Sequence, residues 1–351
     1  MAQHITNPKD QEMYMQMLKA IDSYSNLTKK DYWFLLLKFF FFLSVFSSIW
    51  IGIITINSTF LFILLCILFG IWGIIMALNF GHDFSHDTVF KSKRLNKIGF
   101  IFQFAILGAH ADAWKIRHTE AHHLAPNVGG LDTDLNMVEW IRLIPDSKLK
   151  PYHKLQPFYL VGVYSLYSLF WIFIKDPLYT ISKIKENGTK SIGLLFSMIY
   201  QKLFYFSIIL ILPIIYSQQP LSIVLLGFIC MHVFQSLFLS LTFMATHHVI
   251  GANYPTINSE GKVELSWMRN QIECSNDFHP FSPIANFIFG GFNNHIAHHL
   301  FPHIHHFHYV KVNKIIYPLL KEYGFRPLSN SYFGSVKSHF QLLAHRGSNL
   351  N

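Results

Sequence analysis

The chain has 351 residues, of which 51% are apolar and 17% aromatic but only 13% charged, with a formal net charge of +9. A soluble domain carries about 25% charged residues, so the composition excludes an ordinary soluble globule and reads as a membrane protein. The basic excess lies beside hydrophobic runs, where it suits cytoplasmic loops and anionic headgroups and not nucleic acid.

The first forty residues mix charged and polar groups and contain no short apolar core with a small-residue cleavage site, so no cleaved signal peptide is expected. From Phe39 to Phe90 there is no Lys or Arg. Within that stretch "FFFFLSVFSSIWIGIITI" and "FLFILLCILFGIWGIIMALNF" are separated only by "NST". A helix needs about 20 apolar residues to span a bilayer, and both runs reach that length once the residues from Trp33 are counted. "GFIFQFAILGA" (99–109) is too short to cross and is expected at the interface. "FYLVGVYSLYSLFWIFI" (158–174) is apolar but flanked by Lys154 and Lys175, and reads as an interfacial helix or one buried in a cytoplasmic cap. A second apolar pair follows, with "SQQP" (217–220) between its members and no charged residue from Leu203 to Asn258.

The two turns inside these pairs are uncharged, while the N-terminal tail, the middle segment and the C-terminal segment carry the basic residues. The positive-inside rule places all three charged segments in the cytoplasm. The expected layout is an all-α membrane protein. A cytoplasmic tail over 1–32 precedes a transmembrane hairpin over 33–80. A cytoplasmic region over 81–193, a second hairpin over 194–246 and a cytoplasmic region over 247–351 follow. Cys66, Cys230 and Cys274 are isolated thiols without metal-site or disulfide spacing, and read as packing residues.

Three histidine clusters fall in the segments assigned to the cytoplasm: "HDFSH" (His82, His86), "HTEAHH" (His118, His122, His123) and "HIAHH" (His295, His298, His299). On a helix, positions i, i+3 and i+4 share one face, so each cluster can aim its imidazoles at one point. Eight nitrogens exceed the needs of one ion, and two ions with four or five nitrogens each fit the count; His247, at the end of the last apolar run, can add a ninth. Neutral imidazole suits iron, copper, zinc and nickel. His232, in mid-run, reads as a packed, hydrogen-bonded histidine, and His4, His339 and His345 as solvent or packing residues. Asp83, Asp87, Glu120, Asp132 and Asp134 lie close enough in sequence to accept from the second imidazole nitrogens and fix their tautomers.

These motifs resemble the membrane fatty acid desaturases, in particular their acyl-CoA and acyl-lipid branch, from about Ala77 to Gly347. "GHDFSH" is similar to the family's first box. "WKIRHTEAHHLAPNVGGLDTD" follows its pattern of Trp, HxxxHH, Asn, Gly, Asp and Asp, and "GGFNNHIAHHLFPHIHHFHY" is similar to its third box. In that third box His295 stands where front-end desaturases often carry Gln. The resemblance implies a cytoplasmic helical cap carrying a non-haem site of two iron ions. Its ligands would be His82, His86, His118, His122, His123, His247, His295, His298 and His299, with His306 at a supporting family position. It implies O2-dependent insertion of a double bond into a fatty acyl chain carried by CoA, a carrier protein or a phospholipid. Electrons are expected from a separate ferredoxin or cytochrome b5-like protein, since the sequence holds no HPGG haem motif. A lipid hydroxylase or alkane monooxygenase would share the irons. A histidine-rich metal transporter should instead place ionisable ligands at mid-membrane, where the first two runs have none.

Overall fold

The computed structural model describes residues 3–133, 135 and 139–348. The expected Asp134 lies outside them. The chain is mostly helical, and among the described residues four helices are long and apolar enough to cross a membrane: Lys29–Thr55, Thr59–Ser85, Tyr167–Tyr216 and Leu221–His247. This agrees with the all-α class expected; among the described residues the strands amount to two short parallel pairings, Gln3–His4 with Lys262–Val263 and Asn276–Phe278 with Leu328–Asn330. They give backbone partners to extended segments that no helix accommodates.

Packing divides the chain into two units, one comprising Thr28–Lys115 and Gly162–Ser240, the other Met1–Leu27, Ile116–Val161 and Leu241–Asn351. In the first unit the helix Lys29–Thr55 opens with a capping box, in which the Thr28 side chain accepts from Asp31 N and the Asp31 carboxylate accepts from Thr28 N. It packs on Thr59–Ser85 through Phe46 against Phe69, with ring centroids 4.3 Å apart, and through Trp72 Nε1, which donates to Phe42 O at 2.9 Å. The uncharged turns meet: Gln219 Nε2 donates to Asn57 O at 2.8 Å and to Ile56 O at 3.2 Å, and Thr59 Oγ1 donates to Gln219 Oε1 at 2.9 Å.

The run Tyr167–Tyr216 is not one straight rod. Lys202 Nζ lies 2.8 Å from the buried Asp176 carboxylate, whereas 26 residues of straight helix would separate them by about 39 Å. The chain turns back at Gly188, whose φ of 60 and ψ of −141 only glycine adopts without strain. The apolar stretch 158–174 is likewise interrupted, at Leu166, between helices Gln156–Ser165 and Tyr167–Phe170. His232 is the packed histidine expected: Nδ1 lies 2.8 Å from Ser168 Oγ and Nε2 2.7 Å from Tyr205 OH.

In the second unit the amphipathic helix Pro8–Ile21 lays Met13, Met17 and Ile21 on a core of Met268, Ile272, Ile296, Leu300, Ile304, Ile316 and Leu320. This core grips the helix that bears the third histidine cluster. His339 is fully buried and its Nδ1 lies 2.7 Å from His248 O. Burial pushes its imidazole down from 6.5 to about 4. The fold therefore favours the neutral ring: its contribution to stability is complete above about pH 6.5 and is lost as pH falls through about 4. That shift corresponds to about 3 kcal/mol. Thermal unfolding followed from neutral pH to pH 4 is expected to fall less steeply in His339→Gln than in the wild-type protein.

Candidate metal centre

The third cluster sits on the short helix His295–Leu300, and all six of its residues are buried. Its approach is built by "GGFNN". Gly290 and Gly291 have φ of 56 and 87, and a Cβ on Gly291 would stand 2.6 Å from the Cβ of His306 and 2.9 Å from the Tyr309 ring. No other residue fits there. The start of the helix is tied by the buried Asp277, whose carboxylate accepts from Ile296 N at 2.8 Å and from Tyr317 OH at 2.7 Å.

The second cluster departs from expectation. The helix Ala111–Glu120 carries His118 and ends, while His122 and His123 lie in a 3-10 turn, His122–Leu124. In a continuous helix His123, five positions after His118, would face about 140° away from it. The break instead brings His123 Nε2 to 3.0 Å from His118 Nε2. Pro126 disfavours helical backbone at Ala125, and Asn127, with φ of 59, turns the chain back. Asn127 then acts as a knot: its N donates to Asp132 Oδ2 at 2.9 Å, and its Nδ2 donates to His247 O and Asn253 O, each at 3.1 Å.

Four imidazoles converge. His247 Nε2 lies 2.7 Å from His295 Nε2, 3.1 Å from His122 Nε2 and 3.2 Å from His299 Nε2, and His295 and His299 are 3.2 Å apart through the same atoms. The opposite nitrogens settle the chemistry. His122 Nδ1 lies 3.1 Å from Asp132 Oδ2, His247 Nδ1 2.8 Å from Cys274 O, and His299 Nδ1 2.9 Å from Gln271 Oε1. A carboxylate and two carbonyl oxygens can only accept, so each Nδ1 carries the proton and each Nε2 presents a lone pair. Burial, with His123, His295 and His247 around it, holds the His299 imidazole well below its ordinary range, which keeps the ring neutral. Lone pairs facing one another at these distances repel, and a cation at their focus resolves the repulsion. The donor set, four buried imidazoles of which His122, His247 and His299 are oriented by outer partners, fits a transition metal.

A second convergence joins His118, His123 and His298. His298 Nε2 lies 3.0 Å from His123 Nε2, and His298 Nδ1 is 3.3 Å from Tyr309 OH. His123, His298 and His299 form a further group whose ligand atoms lie within 4.8 Å of one another. His82 and His86 belong to the other packing unit. There a π-helical turn, Ala77–Gly81, immediately precedes them, and their rings stand 4.9 Å apart. Such a turn inserts one residue into a helix and is frequent at functional sites. Burial, beside His82 and Lys115, pushes the His86 imidazole well below its ordinary range.

Of the other expected residues, Asp132 stands against His122. Asp83 is buried in the first unit, and its backbone oxygen accepts from Thr88 N at 3.2 Å. His306 is buried, with its ring stacked on His305 at 4.6 Å. Asp87 pairs with Lys115 at 3.4 Å, and Glu120 is exposed. His248, next to His247, takes a different partner, Tyr254 OH at 2.9 Å. Sequence reasoning missed Gln271, Tyr309 and the Cys274 carbonyl. Cys274 does pack as expected, with its thiol receiving Asn270 Nδ2 at 3.0 Å, but the group that meets His247 is its backbone oxygen, which no residue type announces.

Long apolar helices and buried imidazole clusters, one of them with three rings held in a single tautomer, define a metal-binding membrane protein. The chain belongs to the fatty acid desaturase family, whose model matches residues 58–329. It is 27% identical to the sn-1 linoleoyl-lipid 6-desaturase of Arthrospira platensis, over 79% of this chain and 76% of that protein. It is 25% identical to an acyl-lipid (8-3)-desaturase of Physcomitrium patens, over 95% of this chain and 71% of that protein. A further relative, an acyl-lipid (8-3)-desaturase of Mortierella alpina, is 28% identical over 82% of this chain and 66% of that protein. The protein is thus a fatty acid desaturase, an oxidoreductase of lipid metabolism.

Proposed function

We propose that the enzyme uses O2 and two histidine-bound irons to insert a double bond into the acyl chain of a membrane lipid. Relatives named as acyl-lipid desaturases favour the lipid-bound substrate over acyl-CoA. The observation that carries the metal reading is the set of Nε2 lone pairs of His122, His247 and His299, each turned inward by an acceptor on Nδ1. In this reading His122, His247, His295 and His299 hold one iron. His118, His123 and His298 supply the other, together with His82 and His86 as the family resemblance implies. The four apolar helices form two hairpins with the histidine segments in a cytoplasmic cap. Support comes from the Gln219 hydrogen bonds, which put both uncharged turns at one end, and from the basic residues elsewhere in the chain.

The reaction balances as –CH2–CH2– + O2 + 2 e− + 2 H+ → –CH=CH– + 2 H2O. Bound irons supply the oxidising power that no side chain has for an unactivated C–H bond. The histidines contribute as neutral donors that leave each ion's positive charge undiminished. Asp132, Gln271 and the Cys274 carbonyl hold the rings in one tautomer and orientation, and burial keeps bulk water from the centre. An acyl chain is retained by burial of its methylenes, about 0.8 kcal/mol each.

The test is expression in a host of known lipid composition with mass-spectrometric analysis of the fatty acids. New alkenes that disappear with His298→Ala are expected. An alcohol in their place would convert the reading to a hydroxylase, and an unchanged profile from iron-loaded protein supplied with reductant would end it.

A further inference from the structure

We propose that the open pocket lined by Lys314, Lys321 and Arg326 is the docking surface of an acidic one-electron carrier protein. This rests on the function proposed above, whose balance requires two electrons that the substrate and O2 do not provide. Each docking oxidises one reduced carrier by one electron, and two dockings complete a turnover.

The pocket has a volume of about 1070 Å³. The helix Tyr309–Glu322 supplies Lys314 and Lys321, seven residues and therefore two turns apart on one face. Arg326 follows the turn at Gly324, whose φ is 83. All three cations are exposed, and no acidic residue lines the pocket. Among the described residues, none of the ion pairs uses them. Their charge is therefore available to a partner of opposite sign, and like-signed charges in a concave site raise the encounter rate of such a partner.

The pocket floor connects to the metal centre. Tyr317 and Asn313 line it, and both donate to the carboxylate of Asp277, at 2.7 and 3.4 Å. Asp277 in turn accepts from Ile296 N, in the helix that carries His295, His298 and His299. A carrier seated here stands two hydrogen bonds from the backbone of the ligand helix. The alternative occupant, a phosphate-bearing lipid headgroup, would need an adjoining path for its acyl chain. No Leu, Ile, Val or Met lines the pocket; its apolar members are Phe281, Phe325, Pro318 and Pro327.

The test uses the full-length, iron-loaded enzyme in lipid nanodiscs, with reduced plant-type ferredoxin and the soluble domain of cytochrome b5 as probes. Reoxidation of the carrier is followed by stopped-flow absorbance at increasing salt. For at least one carrier the wild-type rate constant is expected to fall steeply with salt. The triple variant Lys314→Glu, Lys321→Glu, Arg326→Glu is expected to be at least about tenfold slower at low salt, with a flattened salt dependence. Iron content and circular dichroism report whether the variant is folded, and the charge-preserving Lys314→Arg, Lys321→Arg variant should keep the wild-type rate. Equal rates and salt dependences in the wild type and the folded triple variant would overturn the proposal. So would a rise in the lipid concentration needed for half-saturation with carrier oxidation unchanged, which would mark a headgroup site. Reduction of the enzyme with dithionite under anaerobic conditions, removal of the excess reductant and a pulse of O2 separate the two levels. Alkene formed in that single turnover alongside salt-insensitive carrier oxidation overturns the docking surface only, whereas no alkene from the reduced, iron-loaded enzyme after O2 overturns the function and the docking surface together.

Discussion

His247→Ala is expected to abolish double-bond formation and to strip metal from one of the two proposed sites. Its Nε2 is the atom common to the contacts with His122, His295 and His299, so its removal takes the central donor from a four-nitrogen set. Removing an outer partner of a metal ligand costs about 10- to 100-fold in affinity or activity; losing the ligand itself should exceed that range. Two measurements check this: iron per protein after purification, and the fatty-acid profile of expressing cells. The neighbouring His248 provides the contrast. Its ring is also buried but contacts Tyr254 OH, so His248→Gln should keep the full iron content even where it lowers thermal stability. If His247→Ala retained the wild-type iron content, or His248→Gln lost iron to the same degree, the tetrad would not be a metal site.

Asp132→Asn is expected to lower metal affinity or turnover by about 10- to 100-fold while leaving the fold intact. One oxygen of this buried carboxylate meets both His122 Nδ1 and Asn127 N. The amide oxygen of Asn can still accept from both groups, so the geometry is retained. What disappears is the negative charge that makes His122 a stronger donor toward a cation. A competition between the enzyme and an iron chelator, run in parallel for wild-type and variant protein, reads the change directly. An unaltered chelator midpoint with unaltered activity would assign Asp132 to loop structure alone.

Local spacing made much of this protein legible. The apolar runs are long enough to be recognised without a partner, because a membrane-spanning helix satisfies its own backbone. The structure has helices at Thr59–Ser85 and Leu221–His247, where those runs lie. The spacing in His295, His298 and His299 predicted one helical face, and the three share a six-residue helix. The second cluster misled because its last pair follows the end of the helix. Pro126 and Asn127 carry that signal, yet neither says where the freed imidazoles turn. The bend at Gly188 falls in the polar segment "KENGTK", where Asn187-Gly188 is a turn signal, but only the Asp176–Lys202 contact shows which segments the turn brings together.

By itself, then, the amino-acid order determined the membrane class, the four apolar helices and the three imidazole clusters, all properties of residues a few positions apart. Tertiary structure alone decided how the histidines are grouped. His122 and His247 are 125 residues apart, yet their Nε2 atoms lie 3.1 Å from each other. It also chose the atoms that orient them: the backbone oxygen of Cys274, the amide of Gln271 and one oxygen of Asp132. The physical reason is range. Periodicity sets which face of a helix a side chain occupies, but the direction of a ring nitrogen depends on acceptors brought in by distant segments, and those acceptors determine which nitrogen keeps its lone pair for a metal.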